Sequence, residues 1–343
     1  MIHMTEKKKI SVLGAGTWGI AIARMLALCG HSVCVWSALD SEISVLTEKN
    51  EHPNLPGVKI PDIIDYTLDV EKACTGRDII VFAVTSKFIR STAERTKPYI
   101  APGQLIVSVV KGIEAGTHFT MTDVLHDVFG KQKMKIVALS GPTHAEEVAR
   151  DLPTTIVSAC EDLKAAEEIQ DVFMNSFLRV YTNTDILGVE LCGALKNIIA
   201  LAAGISKGLG FGDNASAALI TRGMAEISRL GLKMGCLHET FLGLAGMGDL
   251  IVTATSVHSR NFTAGRLIGE GCTASEAIEK VGMVVEGINA LPAAMELAKQ
   301  YSVDMPITFT VNEVISNGMD PREATTFLMN GSKKSELSIH RND

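Results

Sequence analysis

The chain has 343 residues, of which 46% are hydrophobic and 21% charged, and it carries a net charge of −7 at neutral pH. That length exceeds one core of ordinary size and suits two domains, while the composition excludes disordered and fibrous classes. The acidic balance, with no basic block beyond Lys7–Lys9, argues against nucleic acid as the main partner.

Lys9–Leu13 is a short apolar run read as a strand, and it ends in Gly14-Ala15-Gly16-Thr17-Trp18-Gly19. The residues that follow are apolar at helical spacing, with Gly30 as a C-cap candidate, and His31–Trp36 reads as a second strand. The G-x-G-x-x-G therefore lies between a strand and a helix. Its first glycine permits the tight turn, its second lets the backbone approach a pyrophosphate, and its third lets helix and strand pack closely. A dinucleotide site at Gly14, Gly16 and Gly19 is expected. The position that reads the ribose lies near the end of the second strand, where Val35, Trp36, Ser37 and Ala38 supply neither a carboxylate nor an arginine. Asp40 is a little late, so the choice between NAD and NADP is open on these residues.

Asp78–Val84 and Gln104–Val110 are continuous apolar strands with a helix from Ser86 to about Lys97 between them. A helix around Thr120–Val128 leads to a strand at Lys135–Leu139. Such strands alternating with helices predict an α/β fold with a Rossmann-type doubly wound parallel sheet, whose ligands sit at the carboxyl ends of the strands. Lys111, Gly141 and Thr143 each follow a predicted strand, although loops there are polar with or without a ligand. Pro142–Glu147 reads as a helix start, with Thr143 as cap and Glu146 closing a capping box. Strands at Thr154–Ser158 and Arg179–Tyr181 flank a helix near Leu163–Met174 and extend the sheet.

After Tyr181 the strand patterns vanish, which sets the domain boundary close to Thr184–Gly188. Residues 1–186 are expected to form the dinucleotide-binding domain and residues 187–343 an all-helical, substrate-binding one. Leu191, Leu195, Ile198, Ile199 and Ala202 recur at helical steps, and Lys196 shares a face with the small residues Cys192, Gly193, Ala200 and Ala203. Such a face admits something close to the backbone, where a desolvated lysine has its pKa lowered toward the range useful for proton transfer. The alternative is a lysine whose stem packs while its head reaches water. Lys207–Asn214 is read as a loop leading to a helix at Ala215–Leu230. Gly243–Leu250 is a second glycine-dense segment, which presents Asp249 ahead of Thr253, Thr255 and Ser256. Ser259-Arg260-Asn261 opens a further helix as either a phosphate site or an ordinary N-cap. Val284–Gly287 is a short apolar step carrying Glu286, and the tail Ser332–Asp343 is polar and expected to fray.

The seven cysteines are scattered and never form a C-x-x-C pair, and the nine histidines never form H-x-x-x-H, so reduced thiols and no metal are expected. The N-terminal stretch lacks the apolar core of a signal peptide. The most apolar run, Leu191–Ser206, is interrupted by Lys196 and reads as too short to cross a bilayer. A cytoplasmic chain without membrane insertion is expected, with a homodimer through the apolar helices as one possible assembly.

As a set these segments resemble the bacterial NAD(P)-dependent glycerol-3-phosphate dehydrogenase family. The matching stretches are Gly14–Gly19, Asn50 with Asn54–Gly57, Lys111-Gly112, Gly141-Pro142, Gly193–Asn197, Gly208–Asn214, Gly246–Leu250, Ser259–Asn261 and Val284–Gly287. The resemblance implies a phosphorylated small-molecule substrate, dihydroxyacetone phosphate, reduced to sn-glycerol 3-phosphate for phospholipid synthesis. It implies Lys196 as proton donor and acceptor, held by Asp249 and helped by Lys111. It implies Lys111, Gly141, Thr143, Lys196, Asp249, Ser259, Arg260 and Asn261 around the substrate. It also implies Thr17, Trp18, Lys111, Ala145, Arg260, Val284 and Glu286 toward the cofactor, NAD or NADP. Many members carry Arg or His where this chain has Ser37, which weakens a strong NADPH preference without favouring NADH. Two rivals are a two-domain reductase of a 2-keto or 3-hydroxy acid, which needs a carboxylate clamp at Ser259–Asn261, and a dinucleotide-sensing regulator without turnover.

Overall fold

The structure is a computed structural model and describes residues 6–130, 134–331 and 333, so all of the expected frayed tail except Lys333 lies outside the described residues. The strands are β1 (Lys9–Leu13), β2 (Ser32–Trp36), β3 (Asp65–Thr67), β4 (Ile79–Phe82), β5 (Leu105–Ser108), β6 (Lys135–Ser140), β7 (Thr154–Ala159) and β8 (Leu178–Asn183). They form one eight-stranded sheet in the order β3-β2-β1-β4-β5-β6-β7-β8. The chain crosses from β3 to β4 on the far side of β1, so the sheet reverses its order of addition there, beside the glycine turn. Helices on both faces bury the continuous apolar strands; Ile10, Val12 and Val35 face one core, and Leu13, Trp36 and Phe82 the other.

The sheet is parallel except at β6–β7, where the strands run antiparallel, and β8 then follows β7 in parallel. The connection from Ser140 to Thr154 holds only a four-residue helix, Ala145–Val148, and turns the chain back at the edge where β6 ends. Gly141–His144 thus stay at the carboxyl edge of the main sheet. The short edge strand β3 has no counterpart among the sequence-predicted elements.

After Asn183 every regular element among the described residues is helical. The central helix, Ile186–Gly208, runs 23 residues, longer than the apolar run predicted it. It is long and apolar enough to span a bilayer, but 89% of its most apolar window is buried inside the fold, so it is a core helix. The expected loop at Lys207–Asn214 shrinks to Leu209–Gly212, because the central helix continues through Gly208 and the next helix, Asp213–Lys233, begins early.

Close packing against the Arg260–Gly269 helix accounts for those extra helical glycines. A Cβ on Gly204 would lie 2.1 Å from the Phe262 carbonyl oxygen, and one on Gly208 2.2 Å from that of Arg266. From the other side, a Cβ on Gly265 would lie 2.1 Å from the Leu201 oxygen, and one on Gly269 2.2 Å from that of Ile205. The two helices interlock through glycine backbones, a gain that outweighs the roughly 1 kcal/mol each glycine costs in a helix. Gly265→Ala is expected to destabilise the protein by about 3 kcal/mol, since backbone rather than a flexible side chain must move. A denaturant midpoint unchanged from wild type would contradict that packing.

Candidate active site

The glycine turn has the shape a dinucleotide needs. Gly14 has φ +123° and its N–H donates to the Trp36 carbonyl at 2.8 Å, which ties the turn to the end of β2. A Cβ on Gly19 would lie 2.1 Å from the Gly14 oxygen, so only glycine lets the helix pack on the strand. A Cβ on Gly16 would meet nothing within 4 Å, which leaves the backbone there open to an approaching group. Gly16 is the N-cap of the Thr17–Leu28 helix and makes no side-chain cap bond, leaving that helix start able to meet a pyrophosphate. Thr17 and Trp18 are half-buried in the first turn, and Asn54 donates to the Thr17 hydroxyl at 3.1 Å.

Lys196 lies midway along the central helix and is 4% exposed, and Asp249 is 1% exposed. The Asp249 carboxylate joins two lysines from different parts of the chain. Its Oδ1 lies 2.8 Å from the Lys196 Nζ, and its Oδ2 accepts from the Lys111 Nζ at 2.7 Å. Lys196 also donates to the Thr253 hydroxyl, which donates in turn to the Asp249 carbonyl at 2.6 Å. Lys111, just beyond β5, donates a second bond to the Gly141 carbonyl at 3.1 Å.

Burial pushes the Lys196 pKa down to about 8, with Lys111 and Arg260 adding to the shift and Asp249 opposing it. Burial alone would raise the Asp249 carboxyl, but Lys111 and Lys196 outweigh it and hold the group below its ordinary value. The site therefore combines a fixed carboxylate with a lysine that titrates near neutrality.

The small face of the central helix receives protein more than open space. A Cβ on Gly193 would lie 3.1 Å from the Ser140 hydroxyl and 3.4 Å from the Lys111 stem, so glycine there makes room for Lys111. Cys192, Ala200 and Ala203 pack in the helical core. The glycine-dense segment presents Asp249 at a helix start. The aspartate is the first residue of the Asp249–Thr255 helix, reached through a wide helical turn at Leu244–Gly248 that is closed by Gly248 N–H donating to the Gly243 carbonyl at 3.1 Å.

Thr143 also departs from its expected cap role, since its hydroxyl donates to the Gly141 carbonyl at 3.0 Å and His144 takes the N-cap position without a side-chain bond. No capping box with Glu146 forms. Ala145 begins that short helix and packs on the core of the sheet domain. Ser259 caps the Arg260–Gly269 helix by accepting from the Phe262 N–H at 3.2 Å, and Arg260 beside it is exposed. Asn261 is turned inward. Its Nδ2 donates to Asn197 at 3.0 Å, and its Oδ1 accepts from the Gly287 N–H at 2.8 Å.

Val284 and Glu286 lie half-buried at the start of the Glu286–Gln300 helix, and the Glu286 carboxylate accepts from the Ser86 hydroxyl at 2.8 Å. Ser37 is buried beyond β2, with its hydroxyl on Glu42 at 2.5 Å. Sequence reasoning missed Ser86 and the bonds that join Asn261 to Asn197 and to Gly287. A serine after a strand and a glycine after a glutamate carry no distinctive pattern. A Cβ on Gly287 would come within 2.5 Å of the Asn197 oxygen, a constraint visible only in three dimensions.

Comparison with known proteins gives one answer along the chain. Residues 9–166 match the family described as NAD-dependent glycerol-3-phosphate dehydrogenase N-terminus, and residues 185–326 match its C-terminus. A protein of Lactobacillus delbrueckii subsp. bulgaricus named glycerol-3-phosphate dehydrogenase [NAD(P)+] 2 is 60% identical over 334 residues, 96% of this chain and 99% of its own. One of Agathobacter rectalis, named glycerol-3-phosphate dehydrogenase [NAD(P)+], is 51% identical over 96% of this chain and 98% of its own. The crystal structure of glycerol-3-phosphate dehydrogenase from Coxiella burnetii superposes with a TM-score of 0.91 at 35% identity, covering 95% of this chain and 99% of that one.

Proposed function

The chain belongs to the NAD-dependent glycerol-3-phosphate dehydrogenase family, and on that premise we propose that Lys196, Asp249 and Lys111 carry its chemistry. The enzyme is an NAD(P)-dependent oxidoreductase acting on a CH–OH group, and it interconverts dihydroxyacetone phosphate and glycerol 3-phosphate. When bound, the nicotinamide supplies or accepts the hydride.

In the reducing direction negative charge builds on the C2 oxygen of the ketone. Cationic Lys196 stabilises that oxygen and then delivers a proton to it from Nζ. In the oxidising direction neutral Lys196 takes the hydroxyl proton. Asp249 orients Lys196 and keeps its cation within reach of neutral pH, while Lys111 adds positive charge beside the reacting oxygen. The observation that carries this reading is the single buried Asp249 carboxylate holding both lysines, Lys111 from just beyond β5 and Lys196 from the middle of the central helix.

Arg260, Ser259 and the free N–H groups of the helix they open are assigned to the phosphate, with the remaining Asn261 N–H as a further donor. Gly141 and Thr143 shape the wall beside Lys111. Gly14, Gly16, Thr17, Trp18, Gly19, Ser37, Ala145, Val284 and Glu286 are assigned to the cofactor side, with Arg260 and Lys111 reaching both ligands. The domain division at residue 186 is supported by the end of β8 at Asn183 and the start of the central helix at Ile186. The reading also carries the sn-3 product, a role in phospholipid synthesis, a cytoplasmic location, and a homodimer through the helical domain as the assembly to look for.

Arg260→Leu tests the phosphate assignment. A lost charge-assisted bond is worth roughly 1.5–3 kcal/mol, so KM for dihydroxyacetone phosphate should rise about tenfold to a hundredfold. Turnover of unphosphorylated dihydroxyacetone should stay as slow as in wild type. Equal losses on both ketones at saturating cofactor would contradict the assignment.

A further inference from the structure

The residue that reads the adenosine ribose is absent from the end of β2 in the sequence, and the fold brings one there from the following helix. Ser37 directly follows β2 and is 4% exposed. Its hydroxyl donates to Glu42 Oε2 at 2.5 Å and accepts from the Leu39 N–H at 3.0 Å. That pair of bonds folds the first turn of the Asp40–Lys49 helix back onto the strand end. The strand end is also joined to the glycine turn through Gly14 and Trp36. His52, whose ring lies beside the Ala15 backbone of the glycine turn, is close enough to feel the Glu42 charge. Glu42 is half-buried, and its bond to Ser37 with its charge felt at His52 puts its carboxylate beside the end of β2, near the glycine turn.

When a dinucleotide sits on a G-x-G-x-x-G turn, its adenosine ribose lies over that corner. We infer that Glu42, positioned by Ser37, accepts the ribose 2′-hydroxyl and makes this enzyme select NADH over NADPH. The bond from Ser37 occupies one carboxylate oxygen and leaves Oε1 to accept from the ribose. A 2′-phosphate adds nearly two negative charges, and it would meet a turn, Ser37–Glu42, that contains Asp40 and Glu42 and no lysine or arginine. This rests on the reading of residues 9–166 as the cofactor domain of the dehydrogenase.

The test is a fluorescence titration of the full chain with NADH and, separately, NADPH in the absence of ketone, followed by turnover with each. Wild type should bind NADH at least about tenfold more tightly, the size of one lost charge-assisted bond. Glu42→Gln should weaken NADH about tenfold and leave NADPH unchanged or tighter, and Glu42→Arg should invert the preference. Ser37→Ala should weaken NADH in the same direction but less, and Ser37→Thr, which keeps the hydroxyl, should restore it. Equal or tighter binding of NADPH to wild type, or equal losses for both cofactors in Glu42→Gln, would overturn the inference. Selective NADH binding without turnover of dihydroxyacetone phosphate would instead overturn the enzymatic reading and leave the inference standing.

Discussion

Replacing Lys196 with methionine should lower kcat for dihydroxyacetone phosphate reduction by about a thousandfold, within the range that a positioned proton donor contributes. Methionine fills the buried channel without a cation, so the fold should survive while the C2 oxygen loses its stabilising charge. Steady-state rates should show the loss in kcat and kcat/KM together, the pattern of an interaction made in the transition state. The same residue sets the pH dependence. Burial holds Lys196 down to about 8. Below that value it is cationic and ready for ketone reduction, and above it neutral and ready for alcohol oxidation. The reduction rate should therefore fall as pH rises through about 8, and the oxidation rate should rise. In Lys196→Met both inflections should vanish. A variant that binds substrate poorly but turns over normally at saturation would contradict the proton-transfer role.

Asp249→Asn is expected to be the most damaging single change to site and fold together. It keeps the shape but leaves two cations, one of them buried on the central helix, without their shared carboxylate. Breaking a buried pair in this way costs roughly 3–5 kcal/mol. Lys196 has an escape, since without Asp249 its pKa falls further below its ordinary value and the side chain sheds its proton. At neutral pH the variant then lacks the proton donor, and ketone reduction should drop about as far as in Lys196→Met. The stability deficit should be largest at low pH, where Lys196 is forced to hold a proton in the interior. It should shrink as pH rises toward about 8, because over that interval the folded variant has already released the Lys196 proton that folded wild type still holds. Chemical denaturation at several pH values reads this directly. A deficit independent of pH would show that Lys196 does not carry the penalty.

The parts of this protein that were legible in its sequence are those whose physics is local. The glycine turn needs its three glycines within six positions of one another; in the structure Gly14 makes the turn and Gly19 the close packing, while the backbone at Gly16 lies open. The continuous apolar strands revealed the buried sheet for the same reason. Single residues of the candidate site, Lys111, Lys196 and Asp249, stood out in the sequence, but not the Lys111–Asp249 contact, whose partners lie 138 residues apart. The small face beside Lys196 was visible as a pattern, but its occupant was not. It receives the Lys111 stem at Gly193, and further along the same helix Gly204 and Gly208 admit a second helix.

That second helix also explains the misplaced loop at Lys207–Asn214. Glycine propensity argued for a break, and interlocking backbones at Gly204, Gly208, Gly265 and Gly269 overrode it. The antiparallel turn at β6–β7 and the Asn197–Asn261–Gly287 chain of hydrogen bonds depend on where separate segments meet. Glu42 is of the same kind. It lies six residues past the strand end and is held beside it by Ser37.

The most direct measurement mixes the purified chain with dihydroxyacetone phosphate and follows the near-ultraviolet absorbance of NADH and, separately, NADPH, with glycerol 3-phosphate measured at the end. The account predicts rapid absorbance loss with at least one cofactor, matched mole for mole by glycerol 3-phosphate and abolished in Lys196→Met. Bound cofactor that is never oxidised, or oxidation that survives the loss of Lys196, would contradict it.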